Sequence, residues 1–343
     1  MSHLFRATLW LFLAFIRAVW HFRWKAMRSL DLPEGFLMDS IEKRRFKHYF
    51  YGTTYLAVLM CCLRNQPRSQ RETHLFINLS ALAFSFDDLV DAFRNGADPS
   101  VLWQDNPEAY GLAADQRGLA LHLLQNMYRA LPEEKLIQFR GYMHRVFNVE
   151  TAGKIEIFSP AEAPRRRQRL RRAKAKEGGY WDIGILKKIM AEKGGNSVLL
   201  FRSVLSHPLS EKEENAFYAF GGLIQYCDDI FDLWHDLQAG TVTLASFLCE
   251  RGEIELLIKI FEEQVVATNL AFRKTAYASV QVETALHIVH YLVSITRMCL
   301  QHYLDLKRKY GILPLEDRTA IVLDMEIWAN RFQAVRYILR PIE

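Results

Sequence analysis

Residues 225–236 read Gln225-Tyr226-Cys227-Asp228-Asp229-Ile230-Phe231-Asp232-Leu233-Trp234-His235-Asp236, and this stretch decides the fold. At about 100° per helical residue, Asp228, Asp232, Asp236 and Asp229 fall at about 0°, 40°, 80° and 100°, one narrow stripe. Leu223, Ile224, Ile230, Phe231, Leu233 and Trp234 flank them, so the helix is expected to be largely buried. A second stretch, Phe84-Ser85-Phe86-Asp87-Asp88-Leu89-Val90-Asp91, stands 141 residues earlier. It sets Asp87, Asp91 and Asp88 at about 0°, 40° and 100°.

Like charges at i, i+4 cost roughly 0.2–0.5 kcal/mol per pair even when exposed. The pair Asn95-Gly96 marks a helix C-terminus just after the first stripe, where the dipole disfavours anions by about 0.3–1 kcal/mol. Both stripes therefore call for a cation. Arg94 is the basic residue near the first, and none lies within the second. Carboxylate donors without Cys or His select a hard ion, Mg²⁺ or Mn²⁺, and Mg²⁺ is commonly completed by substrate phosphate oxygens. A phosphorylated substrate is expected.

Apolar residues recur at helical spacing over residues 43–63, 72–93, 115–130, 136–156, 211–237 and 280–310, while alternating β-branched runs are nearly absent. With 17 Gly and 10 Pro in 343 residues, long helices are favoured and linker-rich or collagen-like readings drop out. The chain reads as all-α, with stops at Asn95-Gly96, Asn106-Pro107, Leu131-Pro132, Ser159-Pro160 and Tyr310-Gly311. No phosphate loop is present, and the pairs Gly178-Gly179, Gly194-Gly195 and Gly221-Gly222 do not supply one.

Asp87-Asp88-Leu89-Val90-Asp91 resembles the first aspartate-rich motif of class I isoprenoid synthases, and Asp228-Asp229-Ile230-Phe231-Asp232 the second. Tyr180 and then Lys193-Gly194-Gly195-Asn196-Ser197 resemble the segment whose lysine contacts the substrate diphosphate. Gly240-Thr241-Val242-Thr243-Leu244 is similar to the GKxTL turn of polyprenyl synthases, with Thr241 in place of the lysine. The resemblance implies one large helical bundle over residues 31–343 around an apolar cavity, with Mg²⁺ held between two facing aspartate helices. The expected catalytic and metal-binding set is Asp87, Asp88, Asp91, Asp228, Asp229 and Asp232, with three Mg²⁺ per site. Lys193, Arg94, Asp236, Tyr180, Gln225 and Tyr226 are expected to bind substrate. Metal and Lys193 would neutralise the diphosphate, and aromatic side chains would shelter the allylic cation.

Chain-elongating enzymes carry an arginine pair after the first motif. Here Ala92-Phe93-Arg94-Asn95-Gly96 follows, which argues against ordinary elongation. The expected reaction is that of a terpene synthase, ionising one prenyl diphosphate to a cation that cyclises or eliminates. The Asp87/Asp91 and Asp228/Asp232 spacing also resembles squalene and phytoene synthases, so head-to-head condensation stays open beside it. A reading of another class is a membrane-associated helical protein that binds a prenyl lipid without turnover; seven intact motif aspartates argue against it.

Residues 7–16 (ATLWLFLAFI) form an apolar run of ten before Arg17, too short for the ~20 residues a bilayer asks for. No small-x-small cleavage site follows, so no export is expected. Residues 1–30 read either as an aromatic, basic helix at a membrane interface or as a first helix packed on the domain or on a second subunit of a homodimer. Net charge is +5, but residues 159–176 hold eight Arg and Lys, and without them it is −3. That segment, 159–179, reads as a solvated face or as a basic flap drawn to anionic substrate or lipid; nothing else points to nucleic acid. Five cysteines without a CxxC pair fit a reducing cytoplasm, not a disulfide framework or a zinc site.

Overall fold

The computed structural model describes residues 3–33, 35–94, 116–153, 182–325 and 327–340; the side chains of 87, 88, 91–94, 116, 117 and 151–153 are not among those described. Every regular element among the described residues is helical, thirteen α-helices and a 3₁₀ turn at Ala26–Arg28. The fold is all-α, as the periodicity implies. The chain forms two compact units, Met1–Thr151 with Ser197–Ser210 and Tyr277–Ala285, and Ala152–Asn196 with Glu211–Ala276 and Leu286–Glu343.

In the first unit α1 (His3–Trp24), α2 (Ser40–Arg64), α3 (Gln70–Arg94) and α4 (Gln116–Ala130) pack in chain order, each on the next, and α5 (Glu133–Gly153) follows. Helix α2 starts at a capping box, in which the Glu42 N–H donates to Asp39 Oδ1 and the Asp39 N–H to Glu42 Oε2, both at 2.8 Å. It ends at Asn65, whose φ of 51° is left-handed. Helix α3 starts two residues before the sequence pattern, because Ser69 and Glu72 form a second box. The Ser69 N–H donates to Glu72 Oε2 at 2.8 Å and the Glu72 N–H to Ser69 Oγ at 3.1 Å.

Glu72 does more than cap. Arg64 donates to both its oxygens at 2.8 Å, and the N–H and hydroxyl of Ser206 both donate to Oε1 at 2.9 Å. Burial pushes this carboxyl up, but the Arg64, Ser206 and Ser69 bonds outweigh it and hold it well below the usual carboxylate range.

Helix α1 departs from expectation. The apolar pattern continues past Arg17 through Ala18, Val19 and Trp20, so the helix runs 22 residues and is long and apolar enough, by length and composition, to cross a membrane. Ala7, Leu11 and Ala18 are buried, and Phe22 packs on Phe46 and Phe50 of α2 with ring centroids 5.6 and 5.5 Å apart. Phe5, Phe12, Ile16, Val19, Trp20 and Trp24 are exposed.

The second unit is built from most of α6 (Ile183–Ser203), α7 (Glu211–Phe231), α8 (Leu233–Ala239), α9 (Leu244–Glu250), α10 (Ile254–Arg273), most of α11 (Ser279–Tyr310), α12 (Arg318–Ile321) and α13 (Trp328–Ile338). Helix α7 packs along α10, where the Gln264 amide and the Thr268 hydroxyl both donate to the Ala219 carbonyl, at 2.8 and 3.2 Å. The stretch read as one helix over 211–237 is two, separated at Asp232 (φ −90°, ψ 8°). Leu131-Pro132 separates α4 from α5, and Gly311, at φ 75°, follows the end of α11. Asn95-Gly96, Asn106-Pro107, Ser159-Pro160 and the basic segment 159–179 lie outside the described residues. All five cysteines are buried thiols, and burial pushes Cys62, Cys227 and Cys299 up to about 12.

Candidate active site

The glycine pairs that make no phosphate loop make a helix crossing. A Cβ at Gly194 would strike the carbonyl of Gly221, one at Gly221 would strike that of Gly194, and one at Gly195 would meet the Tyr218 ring at 2.5 Å. Helices α6 and α7 therefore touch backbone to backbone, a distance that only glycine permits. The crossing brings Lys193, next to Gly194, into electrostatic reach of the aspartates that begin about two turns beyond Gly221. Gln225 lies at the same contact, with its Cβ 2.9 Å from where a Gly194 Cβ would stand.

The aspartates on this face divide by burial. Asp228 and Asp232 are exposed, Asp236 is half-buried, and Asp229 keeps 4% of its surface. The Gln225 amide donates to Asp229 Oδ1 at 2.7 Å, with a longer 3.5 Å contact to Asp228 Oδ2. Burial, and then the charge of Asp236, pushes the Asp229 carboxyl well above its usual range; Asp228 adds to the rise, while the Gln225 bond and Lys193 oppose it. Asp236 is pushed up to about 7 by burial and then by Asp232 and Asp228, against Lys193 and a hydrogen bond from the Thr243 hydroxyl. Lys193 thus acts on both of these carboxyls.

The turn after the motif locks its end. Gly240, at φ 75°, closes α8 by donating to the Asp236 carbonyl, and the Thr241 N–H donates to the same oxygen at 2.9 Å. Thr243 then caps α9, accepting from the Ser246 N–H at 3.1 Å. At the break itself the fully buried Tyr303 of α11 donates its hydroxyl to the Ile230 carbonyl at 2.8 Å. Tyr226 is core, 2% exposed, with its hydroxyl pushed up by burial and then by Asp229 and Glu263. Asn196 Oδ1 on α6 and Trp234 Nε1 on α8 are buried without a hydrogen-bond partner among the described residues.

The first motif lies near the end of α3. The side chains of Asp87, Asp88, Asp91 and Arg94, and the whole of Tyr180, lie outside those described. What the structure adds is Arg45 of α2. Its guanidinium donates to the Phe84 carbonyl at 3.0 Å and sits 5.7 Å from the Phe84 ring centre, one turn before the motif. Arg94 is therefore not the only cation near the first stripe. Offsets along one helix reveal neither Arg45, which comes from α2, nor Tyr303, which comes from α11.

No protein-family model, curated protein or solved structure matches the chain. Among the described residues no three His, Cys, Asp or Glu side chains are grouped to hold a metal ion by themselves. Asp228 and Asp232 nonetheless present carboxylates one turn apart on an exposed face, and Mg²⁺ characteristically takes one or two such groups and completes its shell with water and phosphate.

Proposed function

We propose that the chain ionises a prenyl diphosphate with the help of Mg²⁺, in the manner of a class I terpene synthase. One observation carries this reading. Four carboxylates, Asp228, Asp229, Asp232 and Asp236, stand on one helical face, with Asp228 and Asp232 exposed one turn apart, Gln225 donating to Asp229, and Asp236 driven up to about 7 by burial and its acidic neighbours. A face so short of positive charge is suited to hold a divalent cation and, through it, a diphosphate.

Mg²⁺, when bound, would neutralise the diphosphate and make it a better leaving group. On this reading Asp228 and Asp232 hold the ion and Lys193 binds a phosphate oxygen. Asp229, which accepts from Gln225, and Asp236 lie deeper on the same face and hold their protons to higher pH. Asp87, Asp88 and Asp91 supply the second acidic set. The allylic C–O bond breaks with its electron pair leaving on the diphosphate, and the cation closes a ring or loses a proton. The products are a terpene, pyrophosphate and a proton. The DxxxD spacing in both motifs favours head-to-head joining of two prenyl diphosphates as the second reading. The exposed apolar face of α1 suits a peripheral position on a membrane.

The test is incubation of the purified chain with Mg²⁺ and prenyl diphosphates of graded length, singly and in pairs, followed by pyrophosphate assay and mass spectrometry of the extract. A terpene from one substrate supports the first reading, and a coupled product supports the second. Asp87→Asn and Asp228→Asn should each bring pyrophosphate release to background with the helical circular dichroism intact. Turnover unchanged in both variants would remove the metal-site reading.

A further inference from the structure

A cavity of about 480 Å³ lies in the first unit, walled by α1, α2 and α3. That volume is within the roughly 300–1,000 Å³ of small-molecule sites. Phe50 and Ile77, both buried, form part of its inner wall. Leu9 and Leu13 also line it and are 41% and 42% exposed, so it opens on the apolar outer face of α1.

Three basic side chains share this greasy wall: Arg17, His21 and Arg68. The carboxylate nearest Arg68 in sequence, Glu72, is taken up by Arg64 and Ser206. Arg68 stacks over the Phe76 ring at 4.9 Å and makes no ion pair among the described residues. This half-buried guanidinium feels the Glu72 charge but has no carboxylate in direct contact among the described residues, so a close anion would be favourable there. His21 Nε2 is buried with no hydrogen-bond partner among the described residues. The hydroxyls on the wall have local acceptors, since Thr54 donates to the Phe50 carbonyl at 2.8 Å and Thr73 to that of Ser69 at 2.9 Å. The unmet polar demand of the cavity is thus cationic and sits beside apolar surface. Burial and the neighbouring Lys25 and Arg68 lower the His21 pKa, as expected where cations are in excess.

We propose that this cavity binds a single-chain amphiphile with an anionic head, a carboxylate or a phosphate. The chain lies along Phe50 and Ile77, and the head lies on Arg68 and His21. The proposal does not depend on the reading given to the acidic face of α7 and α8.

Calorimetric titration tests this, with palmitate and farnesyl monophosphate as anionic probes and hexadecanol and farnesol as their neutral counterparts. One molecule of at least one anion should bind saturably, and its alcohol at least tenfold more weakly. Which anion binds tells whether the head is carboxylate or phosphate. Arg68→Leu should weaken the anion to the level of its alcohol, and Ala14→Phe, which projects a ring from the α1 wall, should remove both. Should Arg68→Leu fail to fold, Ala14→Phe together with a tenfold loss of wild-type affinity at high salt carries the same weight. No saturable binding of either anion, equal binding of acid and alcohol, or unchanged affinity in Arg68→Leu and Ala14→Phe would overturn the proposal. Binding to phosphatidylserine vesicles without binding of either free amphiphile would overturn it as well, by assigning the affinity to the outer surface of α1.

Discussion

Replacing Gly194 with Ala should destabilise the protein, although the same change in an open helix stabilises. Alanine is better than glycine in a helix interior by about 1 kcal/mol. Gly52 in α2 and Gly141 in α5 are exposed and would meet nothing within 4 Å of an added Cβ, so that gain should appear there undiminished. At Gly194 the new methyl runs into the Gly221 carbonyl and lies 2.9 Å from the Gln225 Cβ. Backbone cannot rotate out of the way as a flexible side chain would, so α6 and α7 must part. Overpacking of this kind costs about 1–3 kcal/mol, and the upper end applies to a backbone-to-backbone clash. Against the propensity gain, a net loss of about 2 kcal/mol is expected. Urea unfolding followed by far-ultraviolet circular dichroism should give a lower midpoint for Gly194→Ala and a higher one for Gly52→Ala, at similar slopes. Once either substitution has parted the helices the other costs less, so Gly194→Ala with Gly221→Ala should cost less than the sum. A Gly194→Ala midpoint at or above wild type would refute the close crossing, and with it the account of how Lys193 reaches the aspartates.

Glu72→Gln should cost about 3–5 kcal/mol at pH 7, because it leaves the buried Arg64 guanidinium without its carboxylate. The folded pKa of Glu72 is depressed, so its contribution is complete above the unfolded value of about 4.3 and is lost as pH falls below it; the gap between variant and wild type in urea should narrow between about pH 5 and pH 3. Tyr303→Phe removes one buried hydrogen bond and leaves the Ile230 carbonyl without that donor, a loss of about 1–3 kcal/mol that calorimetry can read. Asp236 has the opposite sign from Glu72: its folded pKa is raised, so it costs stability increasingly from about pH 4 up to about 7. In EDTA, Asp236→Asn should therefore be more stable than wild type at pH 8 and equal to it near pH 4, and a pH-independent difference would contradict the shared field.

Much of the architecture follows from periodicity, because long amphipathic stripes such as 43–63 and 280–310 are set by burial of one face. Their structural counterparts, Ser40–Arg64 and Ser279–Tyr310, differ from them by at most three residues at either end. Helix Ile254–Arg273 lies outside the stretches expected to be helical, although Leu257, Phe261, Val265 and Thr268 recur at three- and four-residue spacing and are all buried. Its signal was present, without an acidic cluster to draw notice. Ser69-x-x-Glu72 was equally legible as a capping box, whereas the reach of Glu72 to Ser206, 134 residues away, was not. Such contacts depend on how helices cross, and crossing is governed here by glycines whose value lies in the side chain they lack.

The same distinction separates the aspartates. Helical geometry alone orders them at about 0°, 40°, 80° and 100° for Asp228, Asp232, Asp236 and Asp229. Burial follows that order, from the exposed first pair through half-buried Asp236 to buried Asp229. The break at Asp232 does not disturb the stripe, because the Asp232 N–H still donates to the Asp228 carbonyl at 2.8 Å and the Asp236 N–H to the Asp232 carbonyl at 2.9 Å. Treating Asp228, Asp229 and Asp232 as equivalent ligands is what the sequence invites, and the environment argues otherwise. An exposed carboxylate can bind a cation at little cost in desolvation, whereas a buried one among like charges retains its proton to higher pH. On the proposed reading Asp228 and Asp232 are the carboxylates that hold the metal ion. Asp229, which accepts from Gln225, and Asp236 hold their protons to higher pH and are less suited to that role.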